Sequence, residues 1–260
     1  GADFRFKLPN DNNFSFLLSN TSTTLRWADF THGIDQRLAT AALAGGAATS
    51  RQMTLPVAPA AEASFKQRLV AQGIAPETVL IGFQAGASTQ SRRWSAENFV
   101  ALAKRLSATN PNIRIVLTGS PDERGLAEQI AGQLDAAVVW NVAGKLPVVE
   151  LPALMRRLAL LVTGDTGPMH MAVAVGTPVV ALFAVSDWTR SGPPVGDGSG
   201  RHFVIQKWKT CDPCLSKRCP YAEPVCMANI RIDEVESAVT ACLAGEPGKV
   251  WQTTAPEGQA

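Results

Sequence analysis

From about Ala61 onward the chain repeats one alternation: a short apolar run, a turn of small residues, an amphipathic stretch, then another short apolar run. Val79-Leu80-Ile81-Gly82-Phe83 and Ile113-Arg114-Ile115-Val116-Leu117 are short and almost wholly apolar. Such runs read as strands covered on both faces. Between them, 95–107 sets Phe99, Leu102, Ala103 and Leu106 on one helical face. Strands alternating with helices specify an α/β fold: a parallel sheet, helices on both faces, right-handed crossovers. The expected series is helix 61–72 closed by Gly73, strand 79–83, helix 95–107 and strand 113–117. A helix follows from the Ser120-Pro121-Asp122-Glu123 capping box to about Leu134. Then come strand 137–140, helix 147–158, strands 160–163 and 178–183, a last strand at 203–205 and helix 232–243.

Residues 1–60 do not fit this series. They hold polar turn material, a candidate short strand at Phe14-Ser15-Phe16-Leu17-Leu18, a helix over 35–44 stopped by Gly45-Gly46, and a proline-flanked linker at 55–59. No glycine-rich phosphate loop occurs there. The expected organisation is a poorly defined segment 1–60, a compact domain 61–243 and a mobile tail 244–260. Gly1 is not an initiator residue, so an upstream segment of the natural protein is expected. The formal charge of +2 argues against a nucleic-acid partner held by charge. No apolar run approaches the roughly 20 residues of a membrane span.

Three stretches carry chemistry. Asp165-Thr166-Gly167-Pro168-Met169-His170 joins a buried strand to a helix. Thr166 suits the N-cap, and Pro168 suits a first turn whose N–H groups lack partners anyway. Those N–H groups, with the positive end of the helix dipole, make an anion site at the sheet's carboxyl edge. Asp165 and His170 sit beside it. Met169 reads as packing. Gly86-Ala87-Ser88 follows another strand and lets a ligand approach backbone closely. Arg92 and Arg93 stand in the loop after it, where a guanidinium can neutralise a diphosphate bidentately. Trp94 reads as a core staple. Asp122 and Glu123, at the end of the 113–117 strand, read either as ribose ligands or as parts of the capping box. Five cysteines occur, four of them as C-x2-C-x4-C-x6-C: Cys211, Cys214, Cys219 and Cys226. Two readings stand for these four: thiolates for a structural zinc or iron, or a reduced or partly oxidised loop. Lys207, Lys209, Lys217 and Arg218 around them form either a basic rim toward a phosphorylated acceptor or a solvated surface. Cys242 falls on the apolar face of the last helix.

Together these motifs, with Gly176-Thr177-Pro178-Val179-Val180-Ala181-Leu182-Phe183 and Cys211-Asp212-Pro213-Cys214, resemble the signature of the glycosyltransferase family 9 heptosyltransferases. That family builds the inner core of bacterial lipopolysaccharide. The resemblance runs from about Thr78 to Leu243. It implies the Rossmann-like, donor-binding C-terminal half of a GT-B fold. It implies inverting transfer of heptose or a related sugar from an ADP-activated donor to lipopolysaccharide core or a similar acceptor, with no cofactor required. By resemblance Asp165 faces the donor sugar, with His170 beside it. Thr166 and Gly167 offer N–H groups to the phosphates, Ser88 and Arg92 join them, and Lys145 and Leu146 border the base. The family usually has lysine at position 92. One branch of it uses a four-cysteine iron finger. The implied location is the cytoplasm, at the inner face of the inner membrane with peripheral membrane contact. The family's acceptor half, with its glycine-rich loop and basic aspartate, is not recognisable in 1–60. Asp29 and Asp35 lack its context, so no general base is assigned, and a missing N-terminal domain is expected. The alternative is a non-catalytic sugar-nucleotide-binding or scaffold module. A sugar-nucleotide epimerase and a metal-knuckle nucleic-acid module are weaker rivals.

Overall fold

The computed structural model describes residues 27–48, 50–196, 200–208 and 219–252, with Arg5, Ser19 and Cys211. The candidate strand at Phe14–Leu18, and Cys214, Lys209, Lys217 and Arg218, lie outside them. Two compact units emerge, Gly1–Gln52 with Thr189–Ser191, and Met53–Trp188 with Gly192–Ala260.

In the smaller unit, helix α1 (Gly33–Leu43) starts where the His32 ring nitrogen accepts from the Ile34 N–H at 3.0 Å. It ends ahead of Gly45, which takes φ +82°, the left-handed turn that favours glycine. Asp35 in its first turn pairs with Arg51 at 3.0 Å. Asp29 ends a short 3-10 turn, Trp27–Asp29.

The larger unit is an α/β Rossmann-like layer structure. Its elements are α2 (Pro59–Ala71), β1 (Val79–Gln84), α3 (Ala96–Thr109), β2 (Ile113–Thr118), α4 (Arg124–Ala131) and β3 (Val139–Asn141). There follow α5 (Leu151–Arg157), β4 (Leu160–Gly164), α6 (Gly167–Ala174), β5 (Val179–Phe183), the first residue of α7 (Trp188–Ser191), whose other residues belong to the smaller unit, and β6 (Phe203–Gln206). The series closes with α8 (Val225–Ala228), α9 (Ile232–Leu243) and β7 (Val250–Gln252). All strands pair in parallel, in the order β3-β2-β1-β4-β5-β6-β7.

Alternate side chains of each strand serve opposite cores. Ile81, Phe83, Ile115, Leu117, Val162 and Leu182 pack under α3, α4 and α9. Leu80, Val116, Leu161, Val179, Ala181 and Phe183 pack under α2, α5 and α6. Covering both faces is what allows runs without polar alternation.

Two differences from the sequence reading stand out. The sheet does not end at 203–205: β7 adds an edge strand, with Trp251 against Phe203 at 5.6 Å. The 55–59 stretch, expected as a linker, lies against the larger unit. The Leu55 N–H donates to the Ala174 carbonyl at 3.0 Å, and Val57 packs on the core. Among the described residues no helix is long and apolar enough to cross a membrane.

Helix α2 is tied down by a charge. Buried Glu150 accepts from Ser64 Oγ at 2.8 Å and from Arg68 Nε at 2.6 Å. Burial pushes this carboxyl up, and the hydrogen bonds from Arg68 and Ser64 more than offset it, leaving it below the ordinary value. A carboxyl lowered in the fold adds stability above its unfolded value, near about 4.3, and loses it as pH falls through the folded value. Glu150→Gln is therefore expected to destabilise by about 1–3 kcal/mol at neutral pH in urea unfolding. Its gap from wild type should shrink below about pH 4.

Candidate functional site

Strand order reverses direction at one place. From β1 the chain steps outward through β2 to β3, and from β4 it steps the other way through β5 and β6 to β7. A crevice opens where such crossovers diverge, beyond the carboxyl ends of the two central strands. Gln84 and Thr163 stand in register at those ends. The loop leaving β1 and the turn leaving β4 are thereby neighbours.

The turn after β4 forms as the sequence requires. Thr166 is the N-cap of α6, its hydroxyl accepting from the Met169 N–H at 3.4 Å and lying 2.9 Å from the Thr163 hydroxyl. Gly167, the first helical residue, has no intrahelical acceptor for its N–H, and Pro168 has no N–H at all. Met169 is fully buried, so it packs. Asp165 is buried, with its carboxylate 3.4 Å from Arg92 Nη1.

Arg92 and Arg93 have separate jobs. Arg92 is partly exposed, lines the cleft, and spends one nitrogen on Asp165, leaving guanidinium donors for an anion. Arg93 turns the other way and forks onto the Ala87 carbonyl at 3.0 and 2.7 Å, clipping the Gly86-Ala87-Ser88 turn. Trp94 is buried as expected, its indole N–H donating to the Ile230 carbonyl at 2.9 Å. Gly164 is required by the same arrangement: a β-carbon there would lie 2.7 Å from the Arg92 carbonyl oxygen.

The opposite wall is built on Glu123. Its Oε2 accepts from the Ser120 N–H at 2.8 Å and from Gln84 Nε2 at 3.2 Å. Buried Gln84 is itself held by the Thr118 hydroxyl, which donates to its Oε1 at 2.8 Å. The other oxygen, Oε1, lies against Gly86, where a β-carbon would come within 2.1 Å. The capping contact and the cleft-facing carboxylate are thus one group. Beyond it Val142, Leu146, Pro147, Val148 and Leu151 make an apolar wall. Arg124 fixes the loop under that wall by donating to the Gly144 carbonyl at 3.1 Å.

The cleft has a volume of about 750 Å³. Ser88, Arg92, Glu123, Leu146, Asp165, Thr166, Gly167 and His170 all line it. Asp122 is exposed and outside the lining, and Lys145 reaches back to the Asn141 carbonyl instead. Gln84 and Arg124 had no place in the sequence reading, and Arg93 was read there only alongside Arg92. The available signal for Gln84 was a polar residue closing an otherwise apolar strand.

Among the described residues no group of three His, Cys, Asp or Glu side chains could hold a metal. Cys226 is buried in the core under α8, while Cys211 and Cys219 are only partly covered. The expected zinc or iron centre is therefore not formed by the cysteines described. Cys242 is core, its thiol pushed up to about 11 by burial.

Fold and cleft together define a Rossmann-like protein whose crevice sets a helix N-terminus and an arginine at one end and an apolar wall at the other. The chain belongs to glycosyltransferase family 9 (heptosyltransferase), whose family model matches residues 10–224. Lipopolysaccharide heptosyltransferase 3 of Escherichia coli is 32% identical over 139 residues, covering 53% of this chain and 40% of the relative. The chain thus spans well under two thirds of that relative's length. Among solved structures, a family 9 glycosyltransferase from Veillonella parvula superposes with a TM-score of 0.74 at 23% identity, over 89% of this chain and 66% of that one. The E. coli ADP-heptose lipopolysaccharide heptosyltransferase II superposes with a TM-score of 0.68 at 21% identity, over 85% and 65%.

The close approach at Gly164 gives a paired prediction. Gly164→Ala must push the Arg92 turn away and should cost about 1–3 kcal/mol in urea unfolding. Gly167→Ala, where a β-carbon meets nothing within 4 Å, should stay within about 0.5 kcal/mol of wild type.

Proposed function

We propose that the cleft binds the nucleoside diphosphate of an ADP-activated heptose or related sugar. The chain then serves inverting transfer of that sugar to lipopolysaccharide core or a similar glycan acceptor. The observation that carries this reading is the convergence of Arg92 and the α6 N-terminus on one crevice. Two sources of positive potential, one a fork of donors and one a free amide, suit a diphosphate. Leu146, Val142 and Val148 suit an aromatic base. Glu123 lies between the two ends, where it can accept from ribose hydroxyls. The donor named for the E. coli heptosyltransferase II, ADP-heptose, has these parts in this order.

The chemistry follows from the charge. An acceptor hydroxyl attacks the anomeric carbon from the face opposite the diphosphate. The carbon–oxygen bond to the β-phosphate breaks, the electron pair leaves with ADP, and the configuration inverts. Negative charge grows on the β-phosphate as that bond lengthens. Arg92 and the N–H groups of Thr166 and Gly167 meet it with preset dipoles, so positive charge at the reaction centre comes from the protein. Asp165 and His170 border the sugar end. Asp165 orients Arg92 and is placed to accept from sugar hydroxyls. No residue of this chain is assigned as the base for the acceptor. An acceptor borne by lipid places the reaction at the cytoplasmic face of the inner membrane.

Isothermal titration of the full chain with ADP tests the reading. Wild type is expected to bind, and Arg92→Ala to bind about tenfold to a hundredfold more weakly. Absence of ADP binding by wild type would end the proposal. Binding without sugar transfer would favour the non-catalytic alternative.

A further inference from the structure

The Arg92 turn has little structure of its own. It is a single 3-10 turn, Gln90–Arg92, with two backbone bonds: Arg92 N–H to the Thr89 carbonyl and Arg93 N–H to the Gln90 carbonyl. Its outer side is exposed. Two side chains that bracket Arg92 at equal distance along the chain both donate to one remote segment. Gln90 Nε2 donates to the Ala222 carbonyl at 2.5 Å and the Tyr221 carbonyl at 3.4 Å. Trp94 Nε1 donates to the Ile230 carbonyl at 2.9 Å. The segment is 219–230, which carries Cys219 and Cys226, and it lies about 130 residues further along the chain.

We infer that the 219–230 segment is the platform that positions Arg92, and that Gln90 is a positioning residue for diphosphate binding, acting through Arg92. This rests on the reading of the cleft as a nucleoside diphosphate site. The two anchors differ in kind. Trp94 is buried and fixes the trailing end of the turn, together with the Arg93 clip on Ala87. Gln90 is exposed and, among the described residues, is the side chain that ties the leading end of the turn to another segment. The Arg92 carbonyl stays seated on Gly164, but without that tie the leading end loosens about this seat and the guanidinium is aimed less sharply. The segment 219–230 then has a role that needs no metal: it offers carbonyls where the turn needs acceptors.

The test uses Gln90→Glu, which keeps the shape but replaces the donor by a carboxylate that repels carbonyl oxygens. ADP binding is measured by titration for wild type, Gln90→Glu, Arg92→Ala and the double variant, each in the full chain. Thermal midpoints are recorded alongside. Gln90→Glu is expected to weaken ADP about threefold to tenfold with an unchanged midpoint. In the Arg92→Ala background the same change should have no further effect, because nothing remains for the turn to aim. Gln90→Lys, which restores donors, should recover most of the affinity. An equal loss in both backgrounds would overturn the inference, since Gln90 would then act without Arg92. So would wild-type affinity in Gln90→Glu. If wild type binds ADP and Arg92→Ala weakens it while Gln90→Glu does not, the positioning role fails and the nucleotide reading stands. If wild type does not bind ADP, both fall.

Discussion

The carbonyl of Arg92 rests on the α-carbon of Gly164, and much of the cleft follows from that contact. It is a backbone-to-backbone approach, with no room for a side chain between. It locks the turn after β1 to the last residue of β4, so the next residue, Asp165, falls beside the guanidinium of Arg92. Adjacent parallel strands make this possible, because β1 and β4 run in the same direction and end at the same level. A sheet with β1 and β4 apart would leave the arginine and the α6 N-terminus without a common ligand.

Charge is distributed along the cleft in a way that suits a ligand with unlike ends. The α6 N-terminus and Arg92 concentrate positive potential at one end, partly countered by the Asp165 carboxylate. Glu123 stands midway with one oxygen committed to Ser120 and Gln84. The far end is apolar and includes Val148, exposed to 77%. In the proposed complex this valine would meet the flat base.

The central layer of the fold was legible because burial on both faces leaves its mark in sequence: the strands from β1 to β6 are short and nearly all apolar. The turn at Thr166 was legible too, since N-cap and proline preferences are local. What escaped was non-local. Strand β7 is three residues in a stretch rich in Gly and Pro, and it exists through pairing with β6 and the Trp251–Phe203 contact. The segment around Leu55 reads as a linker by composition, yet a hydrogen bond to Ala174 joins it to the sheet domain. Arg92 and Arg93 are identical in sequence and differ only because one carbonyl, that of Ala87, lies within reach of the second. The cysteine spacing left a metal site and a metal-free loop both open, and it did not reveal that Cys226 lies in α8 and packs into the core. Gln84 stands out only as a polar residue closing an apolar strand, and its task of holding Glu123, thirty-nine positions away, is not local.

Glu123 closes a helix with the same carboxylate that walls the cleft. Two selective demands therefore fall on a single side chain, and neither can be relaxed alone. A shorter acid would abandon the Ser120 amide, and a neutral amide would carry donors into a place that now only accepts. Variation in ligand preference within this scaffold should accordingly come from the apolar side chains of the far wall, Val142, Leu146, Val148 and Leu151, which carry no capping bond.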